Sequence, residues 1–187
     1  MNKTVLTIFR ETFSVMIISN IISSLGGLAL HSVEKKLLIL LPILIIVPGL
    51  NALIGGFASI VCSKFTTMLY LGEFPEGKWW QSHNFKALFS KVMVAALISS
   101  MYLAILAFVI AILRGFRFNP PLFIKITFMT IISTLILVAL LLLFSIVTGL
   151  YIYHKKHDPN SYLIPLVTSI ADVATMALFS VLLQFFF

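Results

Sequence analysis

Asp172 stands inside the apolar run 161–187, and no Lys or Arg in that run can neutralise it. Ionisable side chains at bilayer depth are rare and mark ion pathways, proton relays or buried pairs. Counted from Ser161, Asp172 lies about 11 residues along a helix, roughly 16 Å at 1.5 Å per residue and close to a bilayer midplane. Ser161, Pro165, Thr168, Asp172 and Thr175 recur at three- and four-residue steps. On a helix this spacing makes one polar face, leading inward from Asp158. Pro165 has no amide hydrogen, so it frees carbonyls near Ser161 and Tyr162 that can face an ion or water. Hydroxyls, carbonyls and carboxylates suit a hard cation such as Mg²⁺ or Ca²⁺, whereas a transition-metal path would carry more imidazole or thiolate. The competing reading of Asp172 is a protonated structural group, hydrogen-bonded to a neighbouring helix.

A second unusual stretch is Val47-Pro48-Gly49-Leu50-Asn51-Ala52-Leu53-Ile54-Gly55-Gly56, in which a proline and three glycines punctuate an apolar run. Interrupted segments of this kind point to transporter binding sites, because backbone released from the helix can line a cavity. The expectation is therefore a broken helix, with Pro48, Gly55, Gly56 and Pro165 offering backbone to the path and Asn51 as an amide ligand. Close helix packing on Gly55, Gly56 and Ala58 is the other reading. His31, His83, His154 and His157 read as ordinary loop residues. Cys62, the one cysteine, reads as a small packing residue.

Composition says what must position these groups. Of 187 residues, 60% are hydrophobic and 10% charged, against about a quarter charged in a soluble domain. The fold class is all-α and integral to a membrane. Five spans are expected, at roughly 12–31, 37–63, 88–113, 122–153 and 161–187, each able to cross about 30 Å of hydrocarbon. The first is too long for a signal peptide and Leu28-Ala29-Leu30-His31 is a poor cleavage site, so it stays in the mature chain. The net charge of +7 is read as anchoring to a lipid bilayer and not as binding of nucleic acid. With five spans, eight basic residues (Lys3, Arg10, Lys64, Lys78, Lys86, Lys91, Lys155, Lys156) fall on the N-terminal side and five (Lys35, Lys36, Arg114, Arg117, Lys125) on the other. That bias places the N-terminus in the cytoplasm. Trp79 and Trp80, beside Lys78, belong at the cytoplasmic interface; Glu73 and Glu76 read as solvated charges there, with attraction of cations to a pore mouth as the other reading.

The residues also carry a family resemblance. Asp158-Pro159-Asn160, followed by Ile164-Pro165-Leu166-Val167-Thr168-Ser169-Ile170-Ala171-Asp172-Val173, resembles the fifth-helix signature of MgtE-like divalent-cation transporters, especially archaeal permeases related to solute carrier family 41. The run from Pro48-Gly49-Leu50 through Gly55-Gly56 to Ser63-Lys64-Phe65 and Leu71-Gly72 is similar to that family's other signature. The resemblance implies one five-helix domain pairing with a second copy or a similar chain; with the first span expected from residue 12, no soluble regulatory domain is expected. It implies Mg²⁺ as the cargo, no tightly bound cofactor, and an ion path between copies lined by the second and fifth helices. The pore aspartate carries over to Asp172 and the helix-entry aspartate to Asp158. The family's usual second-helix Gly-Asn pair reads Gly55-Gly56 here, and the basic residue that often precedes it is Ile54.

Two rivals belong to other classes. An intramembrane aspartyl protease needs two carboxylates sharing a proton and this chain has one at the midplane, so no enzyme is expected. A non-transporting accessory or assembly subunit would use the small-residue faces for packing and Asp172 as an interhelical hydrogen bond. For topology, single cysteines placed in the 76–86 segment of a Cys62→Ala background should label from the cytoplasmic side only; external labelling in intact cells would reverse the orientation.

Overall fold

A computed structural model describes residues 3–72, 82–154 and 159–187, with the side chains of residues 3–12, 38, 153–154 and 159–161 outside the description. Every regular element among the described residues is helical: α1 (Lys3–His31), α2 (Glu34–Ile39), α3 (Leu41–Tyr70), α4 (His83–Leu113), α5 (Pro120–His154) and α6 (Pro159–Phe186). Five of them are long and apolar enough to cross a membrane. In hydrocarbon only the helix and the closed barrel satisfy every backbone group internally, which accounts for the class. The chain is a multi-pass membrane protein.

Local chemistry explains where the helices begin and end. Pro42 sits in the first turn of α3, and Pro120 and Pro159 open α5 and α6, positions where the missing amide hydrogen costs nothing. Leu40, with φ −106° and ψ 84°, breaks the second expected span into α2 and α3. Gly115, at φ +89°, ends α4 by donating to Ile112 O, while Phe116 donates to Ala111 O, the paired bonds of a Schellman cap. The polar edge of the α4–α5 hairpin is backed by Phe108 against Phe123, edge-to-face at 4.9 Å.

The expected break at Pro48 is absent. α3 stays helical through Pro48, Gly49, Gly55 and Gly56. A proline in a transmembrane helix removes one hydrogen bond, and neighbouring packing holds the rest of the ladder. The real interruption is at Leu40, just before Leu41-Pro42, because Pro42 has no amide hydrogen for the turn before it and its ring clashes with the carbonyl four residues back, so a new helix starts with Pro42 in its first turn.

α3 and α5 pack on each other and each packs on both α4 and α6, while α1 lies against α6. The core holds Ile43, Ile46, Leu50, Ile54, Phe65, Phe108, Leu142, Ile146 and Phe179, all essentially inaccessible. Hydroxyls enter it by donating to their own helix four residues back: Thr130 to Ile126 O, Ser133 to Met129 O, Thr134 to Thr130 O and Ser145 to Leu141 O. Cys62 is buried beside Ser145, with Sγ 3.5 Å from its Oγ.

Glycines permit three close crossings. A Cβ on Gly49 would lie 2.6 Å from Leu103 Cδ1, one on Gly149 2.5 Å from Phe65 Cε1, and one on Gly26 2.7 Å from Met176 Sδ and 3.4 Å from Val173 Cα. Phe65 is fully buried and has nowhere to swing. Gly149→Ala should therefore destabilise the protein by about 1–3 kcal/mol through overpacking. Gly56 has nothing within 4 Å of its would-be Cβ, so Gly56→Ala should be neutral or stabilising by up to about 1 kcal/mol. Denaturant unfolding of both variants in detergent checks the contrast; equal effects would contradict the packing.

Candidate functional site

Three helices bring one polar group each to the middle of the bundle. Ser23 is eight residues before the end of α1 at His31, Asn51 ten past the start of α3 at Leu41, and Asp172 thirteen past the start of α6 at Pro159. They therefore lie about 12–20 Å from a helix end. Ser23 Oγ donates to Asp172 Oδ2 at 2.8 Å, and Asn51 Nδ2 donates to Oδ1 at 2.9 Å. Both donors are neutral. They satisfy the carboxylate geometrically and leave its charge uncancelled.

Contacts along the chain set the helix directions. Ser23 meets Asp172 and Ser32 accepts from Gln184 Nε2 at 3.2 Å, so α1 and α6 run parallel. Gly26 lets α1 come close enough for the Ser23 bond, since its α-carbon faces the backbone of Asp172 and Val173. Among the described side chains of α1, Val15, Ser19 and Gly26 are buried, Ile22, Ser23, Ala29 and Leu30 are half-buried, and the rest are exposed and mostly apolar.

Asp172 opens on a chamber of about 360 Å³ between α1, α3 and α6, lined by Met16, Ser19, Asn20, Ser23, Ser59, Ile164, Pro165, Thr168, Ser169 and Asp172. None of these lining residues is basic. Three hydroxyls spend their proton on helix carbonyls: Ser59 on Gly55 O at 3.1 Å, Thr168 on Ile164 O at 2.9 Å and Pro165 O at 3.1 Å, and Ser169 on Leu166 O at 2.9 Å. A hydroxyl has one proton and two lone pairs, so these groups turn acceptors toward the chamber. Asn51 Oδ1 is buried and has no hydrogen-bond partner. Asn51 is not among the chamber's lining residues, and what faces the chamber is a carboxylate with hydroxyl lone pairs around it, a set suited to a hard cation. Among the described residues no group of three or more His, Cys, Asp or Glu gathers that could hold a metal ion.

The sequence candidates are thus partly assembled. Asp172 and Asn51 are in direct contact, and Thr168 and Pro165 line the same chamber. Gly55 is not among the chamber's lining residues, and its carbonyl accepts from Ser59. Pro48 and Gly56 are exposed on α3 and do not line the chamber. Thr175, expected on the polar face, is buried and donates to Ala171 O at 2.6 Å. Asp158 and His157, with the side chains of Ser161 and His154, lie outside the described residues, as do Glu73, Glu76, Trp79 and Trp80. His31 closes α1 and pairs with Glu34 at 3.2 Å on the exposed surface. Sequence reasoning missed Ser19, Asn20 and Ser23. Their signal was present: Met16, Ser19, Asn20 and Ser23 follow the i, i+3, i+4, i+7 pattern of one helix face.

Residues 47–182 match the model of the MgtE family, described as a divalent cation transporter. The chain belongs to the MgtE divalent cation transporter family. No curated protein and no solved structure matches it. The MgtE match spans Asn51, Ser59, Thr168 and Asp172 and begins beyond α1. It is a family of transporters and not of enzymes, and divalent cation transport is its general activity.

The three-helix contact makes a stability prediction of its own. Asp172→Leu would leave the Ser23 hydroxyl and the Asn51 amide without their acceptor, at about 1–3 kcal/mol for each polar group stranded. Asp172→Asn keeps the partners, because Ser23 can accept as well as donate and Asn51 can turn its free Oδ1 toward an amide. Thermal unfolding should show Leu far below wild type and Asn near it; equal losses would argue against these hydrogen bonds.

Proposed function

We propose that this chain carries Mg²⁺ across the membrane, with Asp172 as the ion-binding carboxylate and Asn51 and Thr168 as neighbouring oxygen ligands. The observation that carries the reading is an uncancelled carboxylate at mid-depth, facing a chamber with no basic lining residue. Mg²⁺ demands octahedral oxygen geometry and dehydrates reluctantly. A site of one carboxylate, one free amide oxygen and several hydroxyls fits a largely hydrated ion of that kind better than it fits a softer metal. Asp158 is the proposed entry group at the cytoplasmic end, and the cytoplasmic N-terminus follows the charge bias of the connections.

The reading includes a two-fold pair. One carboxylate balances half the charge of a divalent ion, and a second copy would bring a second Asp172 to one axis. Pro48, Ala52 and Gly56 form an exposed, small-residue strip on α3 beside Ser59, on the border of the chamber. Such strips let helices from two chains approach closely. A partner helix there would wall the path on its open side. Gly56→Leu should then abolish cross-linked dimers in native membranes with the single-chain fold intact, and unchanged dimers would remove α3 from the interface.

A second reading has an observation in its favour. Asp172 already receives two hydrogen bonds, as a structural group in an accessory subunit would. Proteoliposomes containing only this protein separate the two. Transport through Asp172 requires that Asp172→Asn, folded as argued above, lose nearly all Mg²⁺ uptake, and that Asp172→Glu keep weak uptake with altered ion preference. Wild-type uptake in Asp172→Asn would take the residue out of the ion path.

A further inference from the structure

Ser19 is 7% exposed, lines the chamber, and its Oγ has no hydrogen-bond partner. A buried hydroxyl left unpaired is costly, and the Ser19 Oγ, itself inaccessible here, gains a partner when it rotates toward water or a ligand in the chamber. Ser19 is one helical turn before Ser23 on α1, and Thr168 is one turn before Asp172 on the parallel α6. Ser19, Asn20, Thr168 and Ser169 therefore surround one level of the chamber, about 5.4 Å along the axis from the carboxylate.

We propose that this level is a second cation station, built by α1, at which a hydrated divalent cation is held through its waters before it meets Asp172. This rests on the transport reading above for its place in a path, and on the chamber alone for its ability to bind. The first argument is polarity. Water bound to a cation turns its hydrogens outward, so its host must accept hydrogen bonds. Thr168 and Ser169 have already donated their protons to carbonyls and present lone pairs, Ser19 is wholly unengaged, and Asn20 adds an amide. The second argument is size. Six waters at about 30 Å³ each need about 180 Å³, and the chamber's 360 Å³ accommodates them without stripping the ion. The third is charge, since the nearest ionisable lining group is Asp172 and none is basic. Direct ligation is not needed here, because water-mediated contacts are nearly as favourable as direct ones.

Hexaamminecobalt(III) is the probe, because its inert shell of hydrogen-bond donors permits outer-sphere binding only. Calorimetric titration of the wild-type protein in nanodiscs should show it binding and Mg²⁺ competing. The Ser19→Ala/Asn20→Leu double variant should bind it about tenfold more weakly or worse, a change of about 1.4 kcal/mol, with thermal unfolding unchanged. Ser19→Thr, which retains the hydroxyl, should bind as wild type and controls for disturbed α1 packing. Absence of binding to wild type, or equal affinity in the double variant, would overturn the station. Uptake by Asp172→Asn separates the two proposals: wild-type uptake there, with the α1-dependent affinity intact, would sink the transport path and leave the station standing.

Discussion

A carboxylate halfway through a bilayer can be stabilised in two ways, and the choice decides what it can do. A Lys or Arg partner would cancel its charge and consume it in an internal salt bridge. Here Ser23 and Asn51, both neutral, hold its two oxygens from two other helices. The hydrogen bonds fix its position and lower the penalty of burial, and neither donor brings a positive charge to it. The rest of the arrangement follows from that contact. α1 must lie close on α6, which Gly26 allows, and α3 must turn Asn51 inward, which leaves its small-residue strip on the outside.

Hydroxyls appear throughout the membrane-spanning part, and their surroundings separate two uses. Along α5, Thr130, Ser133, Thr134 and Ser145 bond their own helix among packed apolar side chains, so their remaining lone pairs face no space. Ser59, Thr168 and Ser169 make the same intrahelical bonds beside a chamber. There the back-bonding has a directional consequence, because the protons point into the helix and acceptors point out. Such a lining favours cations over anions without adding formal charge.

α1 differs from the other long helices. It packs on α6, leaves most of its described side chains exposed, and lies before the stretch that matches the family model. Yet it supplies four of the chamber's lining residues and one of the two donors to Asp172. Lateral packing in a bilayer lacks the hydrophobic drive that operates in water, so close approach and interhelical hydrogen bonds must hold such a helix in place. Gly26 and Ser23 provide these near mid-depth, and Ser32 with Gln184 near the other end.

Hydropathy and span length depend on local composition, so the membrane class, the five long helices and the place of Asp172 near the middle of the last one were legible from the chain alone. So was the pairing of Pro165 and Thr168 with Asp172 on one face, since helical spacing dictates it. The continuity of α3 through Pro48 was not legible, because surrounding helices decide whether a proline breaks a buried helix or is absorbed by it. Pro42, a less conspicuous residue at a helix start, marked the real break. Nor could spacing tell which helices meet. Helices apolar on nearly every side carry little periodic signal for their neighbours, and the polar face of α1 acquires meaning only once α6 lies beside it. The Ser23–Asp172–Asn51 contact joins positions 149 and 121 residues apart in the chain. Only the packing of α1, α3 and α6 decided that they share one site.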